Sequence, residues 1–377
     1  MPEIDNDVLF NDESDNLEED GAVLPSFEKK YKDLMRQIVT QRLDIPISTL
    51  PIMLKDQIKI DPEFQRRDRW DETRQSRLIE SLLMNVPIPP VFLGEDTYGA
   101  YVVLDGRQRL TAIRNFLNNT LKLRKLSVWD DLNGMRYEDL VKRGLDKHLT
   151  RRFVPAVVIL KESSPVVKYD VFERLNTGGI KANNMEIRNA VFRGEFTNNL
   201  HKLARNPVFC SLWGIPTDRT LAESNVTFQL MDDLLLVLRF FALSEPQDFE
   251  GPFRDYLSDF MQKRNSVYDD EAKALDTARF NVAVRNTWKV FGEEAFRNPG
   301  KPAAGRSMPL ADAVMVGLGD IPPDQITDAI AREMKKGFSE LCMDAEFAKA
   351  ISAGTNGKGA IVTRIEKAKA FFDSYVL

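Results

Sequence analysis

The apolar residues of the chain repeat with two periods, and the change between them predicts its architecture. Up to about residue 195, helical spacing alternates with short apolar runs of strand length. Beyond that point nearly every apolar pattern has the helical period. We therefore predict an α+β region over residues 25–195 and an all-helical region over residues 196–377.

Within the α+β region, helices are predicted over residues 27–42, 72–85 and 106–118. Asp71 is a suitable N-cap for the second helix, and the prolines at 87, 89 and 90 prevent its continuation. Apolar runs rich in β-branched residues predict strands over residues 91–93, 101–104, 121–126 and 153–160. The first two strands form a predicted hairpin.

Beyond Asn183 the same periodicity predicts six helices, the first of them just before the boundary at residue 195. They cover residues 185–193, 226–243, 252–264, 270–291, 323–338 and 360–375.

The first 24 residues differ from the rest in charge. Residues 1–20 contain nine acids and no base, in a chain with a formal charge of −5. Removing nine negative charges leaves about +4, so the remainder is mildly basic. Such a stretch cannot bury much apolar surface, and we predict a disordered or loosely docked tail. It either keeps the protein soluble or shields a basic face of the same molecule.

Cysteine content and hydropathy narrow the class of protein. Cys210 and Cys342 are far apart and predict neither a disulfide framework nor a zinc site. The chain has no basic and apolar leader and no run of eighteen apolar residues. We therefore expect a soluble, cytoplasmic protein without membrane contact.

The first segment that could carry chemistry is a strand that runs into a helix at a glycine. It consists of Asp105, Gly106, Arg107, Gln108 and Arg109. Unpaired N–H groups and the helix dipole stabilise an anion at such a helix start, and glycine lets the anion approach the backbone. Arginines in a first turn oppose the dipole unless an anion is bound. The alternative is structural: Asp105 caps the helix and the arginines point into water.

A second cluster combines cations with aromatic residues just before and within the 72–85 helix. Its members are Phe64, Gln65, Arg66, Arg67, Arg69, Trp70, Arg74 and Arg77. Arginines interleaved with aromatic rings suit phosphate recognition, or stacking on nucleic acid bases. The alternative is a solvated face with ion pairs to Asp68, Asp71 and Glu72.

A third cluster lies where a helix stops at Gly178 and Gly179. Glu173 and Asn176 precede these glycines, and Glu186, Arg188 and Asn189 follow them. Carboxylate and amide oxygens are ligands that Mg²⁺ accepts alongside water and substrate phosphates. A simple glycine C-cap explains the same pattern equally well.

Together the three clusters resemble the ParB-like domain at the N-terminus of GmrSD type IV restriction endonucleases and related phage-defence proteins, over about residues 45–245. The first match is an aromatic-Gln-Arg…Trp segment at 64–66 and 70. The second is a DGQQRLT motif at 105–111, except at position 107. The third is an LNxxG segment at 175–179 with an E-x-R at 186–188.

The resemblance implies a ParB/sulfiredoxin-like fold with a small mixed sheet, followed by the all-α region. It also implies that the chain binds a nucleoside triphosphate, whose hydrolysis drives a partner nuclease. Asp105, Gly106, Gln108 and Arg109 would hold the phosphates with help from Gln65 and Arg66. Glu173 and Asn176 would be catalytic or Mg²⁺-binding. Arg107 replaces the family's glutamine, which puts hydrolysis in doubt while leaving phosphate binding intact.

The chain also lacks motifs that a self-sufficient nuclease or P-loop NTPase needs. His148 and His201 are its only histidines and do not have an HNH-like spacing. The glycine-rich residues 354–359 do not fit the P-loop pattern. We therefore expect a nucleotide-binding regulatory module with a separate effector nuclease. The alternative is a DNA-binding module that uses Arg67, Arg69, Trp70, Arg74 and Arg77, and self-association stays open.

Overall fold

The computed structural model describes residues 38–60, 70–163, 183–245, 250–300 and 305–376, together with 168, 169, 171, 172 and 174. Five strands form one mixed sheet in the order β1-β5-β3-β4-β2. β1 pairs with β5, and β3 with β4, in antiparallel fashion, whereas β5–β3 and β4–β2 are parallel. The strands are β1 Thr40–Pro46, β2 Ile58–Lys59, β3 Val91–Thr97, β4 Ala100–Asp105 and β5 Phe153–Ile159.

Helices pack on both faces of the sheet. Those near the sheet are α1 Leu50–Asp56, α2 Glu72–Leu83, α3 Arg107–Leu117, α4 Tyr137–Lys142 and α5 Lys147–Thr150. The next are α6 Asn184–Val191, α7 Glu195–Ala204, α8 Pro207–Trp213, α9 Arg219–Ala222, α10 Val226–Gln229 and α11 Asp232–Ser244. The last are α12 Phe253–Val267, α13 Asp270–Phe291, α14 Met308–Leu318, α15 Asp328–Leu341, α16 Ala345–Ser352 and α17 Lys358–Asp373.

The two faces of the sheet belong to two hydrophobic cores. Val103 on β4 packs with Leu110 and Ile113 of α3 in the first core. Leu104, the next residue, points the other way and packs with the apolar residues of the helical region. Because strand side chains alternate between faces, β4 joins the two cores. The predicted α+β class is confirmed.

Most predicted elements of the first region are confirmed. Asp71 caps α2, since its Oδ1 accepts a hydrogen bond from the Arg74 N–H at 2.7 Å. The 91–97 and 100–105 strands form the predicted hairpin, and β5 lies where the 153–160 run predicts it.

Two predictions in this region were wrong. The predicted 27–42 helix cannot extend to its last residues, because Thr40 already begins β1; its start lies outside the described residues. Residues 121–126 are not a strand. Part of their backbone bonds to side chains: the Arg124 N–H donates to Ser76 Oγ at 3.0 Å and the Leu126 N–H to Asn133 Oδ1 at 3.0 Å. Leu123 instead exchanges backbone hydrogen bonds with Gly134 and Met135, which are not in a strand.

In the helical region, the predicted 226–243 helix is divided in two. Met231 has a left-handed backbone with φ of 55°, and α11 starts immediately after it. The Nδ2 of Asn183 donates to the Leu230 carbonyl at 2.6 Å and holds this break. The periodicity did not predict α7, α8, α14 and α16. No helix among the described residues is long and apolar enough to cross a membrane.

Candidate functional site

The turn formed by residues 105–109 has the predicted strand-to-helix geometry. β4 ends at Asp105, Gly106 is the N-cap, and α3 begins at Arg107. Gly106 has φ of 91°, in the left-handed region that favours glycine. An ideal Cβ placed on it would also lie 2.8 Å from the Cβ of Val91. Backbone conformation and packing against β3 therefore both require glycine here.

Arg109 ties this turn to the preceding proline segment. Its Nη2 contacts Asp105 Oδ2 at 2.6 Å, and its Nη1 donates to the carbonyl oxygens of Pro89 and, at 3.2 Å, of Pro90. Only 12% of the side chain is exposed. Burial lowers the pKa of the guanidinium, against the opposing effect of Asp105. Arg109 therefore fixes the shape of the turn, and most of its hydrogen-bonding capacity is directed at the protein itself.

Gln108 connects the turn to the second sequence cluster. Its Oε1 accepts a hydrogen bond from the Trp70 N–H at 3.2 Å. Gln75 Nε2 donates to the Trp70 carbonyl at 2.7 Å, and Asn115 Nδ2 donates to Gln75 Oε1 at 3.1 Å. This chain of hydrogen bonds joins α2 and α3 around Trp70. The structure thus brings the first two clusters together at Gln108 and Trp70.

Two cations of the second cluster lie on the outer side of α2. Arg74 and Arg77 are exposed, and the Arg74 guanidinium lies 5.7 Å from the centre of the Trp70 ring. Arg107 is half-buried in the first turn of α3. Arg74 therefore lies beside Trp70, and Arg107 lies at the start of α3.

Several of the predicted site residues lie outside the described residues. They are Gln65, Arg66, Arg67 and Arg69 before α2, and Glu173 and Asn176 before α6. Their proposed roles in phosphate, nucleic acid or Mg²⁺ binding stay predictions. Among the residues that are described, no group of three or more His, Cys, Asp or Glu side chains could hold a metal ion.

The E-x-R segment of the third cluster has a structural position in α6. Glu186 accepts a 2.6 Å hydrogen bond from the Asn183 N–H, and Asn183 Oδ1 accepts from the Glu186 N–H at 2.9 Å, which forms a capping box. Arg188 is only 2% exposed and donates to Ser258 Oγ and the Arg254 carbonyl. Arg188 therefore anchors α6 to α12, whereas Glu186 closes the start of α6 itself.

The capping box could be predicted from the sequence, because Asn183 is followed three residues later by Glu186. The burial of Arg188 was not, because its partners lie on α12, 66 and 70 residues away.

Comparison with known proteins identifies the part of the chain that contains these features. Residues 50–193 match a family model described as "GmrSD restriction endonuclease, N-terminal domain". The matched segment is similar to that domain and contains β2–β5 and the 105–109 turn. Neither the search of curated proteins nor that of solved structures found a match for the chain.

Proposed function

We propose that this chain binds a nucleoside triphosphate, with its phosphates at the start of α3, and regulates a separate effector nuclease in a restriction system for phage defence. The 105–109 turn carries the proposal, because a glycine-capped helix start with adjacent cations suits a phosphate chain. The family match of residues 50–193 supports the restriction context.

The first turn of α3 supports phosphate binding through its backbone. The first N–H groups of a helix have no intrahelical acceptor, and a glycine N-cap has no side chain to supply one. A phosphate oxygen would accept from these groups and interact with the positive end of the helix dipole. Arg107 would supply the charge in this proposal, since Arg109 is bound to Asp105 and two carbonyls.

Thermal stability in the presence of nucleotides tests binding. With ATP, GTP or CTP and Mg²⁺, at least one nucleotide is expected to stabilise the protein by about 2.7 kcal/mol at a concentration of 100 times its Kd. Arg107→Ala should reduce this shift, and Arg114→Ala, a matched change in the last turn of α3, should retain it. Equal shifts in both variants, or none in the wild-type protein, would refute the proposal.

Hydrolysis is a separate part of the proposal and depends on position 107. The DGQQRLT motif that this segment resembles has glutamine at that position, and glutamine can orient an attacking water. Arg107→Gln is therefore expected to bind nucleotide and to release phosphate faster than the wild-type protein. An unchanged rate in a variant that still binds would show that residue 107 does not control turnover. Glu173 and Asn176 would hold Mg²⁺ in this scheme.

A second candidate function rests on the exposed cations of α2 beside Trp70. Arg74 and Arg77 could contact a DNA backbone while Trp70 stacks on a base. A gel shift with residues 1–24 removed tests this function. DNA binding should weaken steeply with salt, with a slope of about 0.7–0.9 per phosphate contacted. No shift at low salt would rule it out.

A further inference from the structure

A polar cleft lies between the sheet and α7. Its volume is about 270 Å³. The side chains that line it come from β2, β3, α6 and the start of α7, and include Lys59, Asp96, Asn189, Arg193, Thr197 and Asn198. None of these is aliphatic or aromatic, so the cleft is unsuited to an apolar ligand.

The cleft is separate from the 105–109 turn. Lys59 pairs with Val102 of β4, and Asp105 is three residues further along that strand, or about 10 Å. Ile58 belongs to the core beneath α3, and strand alternation places Lys59 on the opposite face of the sheet. The cleft therefore opens on the face that meets the helical region.

One wall of the cleft is held rigidly by Asn265 of α12. Its Nδ2 donates to the Phe192 carbonyl at 3.1 Å and to Thr197 Oγ1 at 2.9 Å, and its Oδ1 accepts from the Thr197 N–H at 3.2 Å. An ideal Cβ on Gly194 would lie 2.7 Å from Asn265 Cγ, so a larger residue would displace this side chain. The start of α7 is thus preorganised by a residue more than 60 positions away.

A buried amide forms another part of the wall. Asn189 is 2% exposed, and its Oδ1 lies 2.8 Å from Nε2 of His201. Burial and the charge of Arg193 lower the pKa of His201 to about 3, so the ring is neutral at physiological pH. Because an amide oxygen can only accept, this contact requires the tautomer with the proton on Nε2, which then orients the Asn189 amide.

The charges at the cleft indicate the class of ligand. Lys59 and Arg193 come from separate elements and contribute two positive charges, against one negative charge from Asp96. Cations of this kind bind phosphate groups, while amide, hydroxyl and carboxylate groups bind sugar or base atoms. The volume is slightly below the range of about 300–1,000 Å³ for small-molecule pockets, which favours a compact ligand.

We propose that this cleft binds a phosphorylated small molecule of about mononucleotide size. Lys59 and Arg193 contact its phosphate, and Asp96, Asn189 and Asn198 contact the remainder. The first four lining residues lie inside the family-matched segment 50–193, whereas Thr197 and Asn198 lie beyond it. A ligand here bridges the two regions, so its binding stabilises their contact.

Calorimetric titration with inorganic phosphate, AMP, GMP and unphosphorylated adenosine tests the proposal. At least one monophosphate should bind, and adenosine should not. Lys59→Gln and Arg193→Gln should each weaken binding about tenfold, as expected for the loss of a charge-assisted hydrogen bond. Lys55→Gln is the matched control, because Lys55 is an exposed lysine on neighbouring α1. It should bind like the wild-type protein.

Two outcomes would overturn the proposal. One is wild-type monophosphate affinity in Lys59→Gln. Lys59 is exposed, so this variant should fold normally and its affinity can be compared directly with that of the wild-type protein. The other is loss of monophosphate binding in Arg107→Ala, which would place the ligand at the 105–109 turn. Failure of triphosphate binding alone would leave the cleft proposal intact.

Discussion

The glycine-containing turns before α3 and before α17 differ in the way their nearby arginines are used. At the 105–109 turn, Arg107 is half-buried at the helix start and Arg109 braces the loop from the side. At residues 354–357, which precede α17, Arg364 donates to the Thr355 carbonyl at 2.5 Å and Arg239 to Asn356 Oδ1 at 3.3 Å. Both of the latter arginines also bind the buried Asp312.

The difference shows why glycine and a nearby cation do not define an anion site. Arg239, Asp312 and Arg364 are each no more than 5% exposed as side chains, and they form an internal ion cluster. Burial raises the pKa of Asp312, but the two arginines outweigh it and keep the pKa below its usual value. The residues before α17 are thus held by arginines of the core, whereas the 105–109 turn is braced by Arg109, which belongs to the turn itself.

The largest expected effect comes from breaking the internal cluster. Asp312→Ala leaves two buried arginines without their carboxylate and should reduce the free energy of unfolding by about 3–5 kcal/mol. Urea unfolding measures this loss. Asp320→Ala, which removes an exposed ion pair with Arg279, should cost less than about 1 kcal/mol. Similar losses in both variants would contradict the structural role of the cluster.

The start of α11 differs from both turns because it contains a buried acid, Asp233. Burial raises the pKa of Asp233 in α11 to about 7. Between about pH 4 and 7 the folded state retains a proton that the unfolded state releases, so stability falls as pH rises through this range.

Asp233→Asn should therefore be more stable than the wild-type protein at pH 8, by at most roughly 4 kcal/mol, and the gain should shrink toward pH 4. Urea unfolding at several pH values measures it. Asp324→Asn, at an exposed position, is the control. A gain that does not change with pH would exclude titration of Asp233 as its source.

Glycine substitution distinguishes the two turns by packing. Gly106→Ala meets both a left-handed backbone and Val91, and should destabilise the protein by about 2–3 kcal/mol. Gly354 also has a positive φ, of 56°, but a Cβ there meets no atom within 4 Å. Gly354→Ala should cost only about 1 kcal/mol. Equal losses of stability in the two variants, measured by thermal unfolding, would mean that the Val91 side chain moves aside without an energetic penalty.

Local features of the fold and site were predictable from the sequence, whereas distant partners were not. The Asp71 cap, the hairpin and the 105–109 turn depend on residues a few positions apart, and periodicity with glycine chemistry predicts them. The role of Arg109 depends on carbonyls 19 and 20 residues away. The false strand at 121–126 has apolar residues at suitable positions, but Ser76 and Asn133 satisfy part of its backbone.

Nucleotide titration of two matched variants tests the central claim most directly. Arg107 and Lys358 are each the first residue of a helix that follows a glycine, Gly106 or Gly357. If the 105–109 turn is the phosphate site, Arg107→Ala should weaken binding of the preferred nucleoside triphosphate at least about tenfold, and Lys358→Ala should leave it unchanged. Equal affinities of Arg107→Ala and the wild-type protein, measured by calorimetry with Mg²⁺, would contradict the claim.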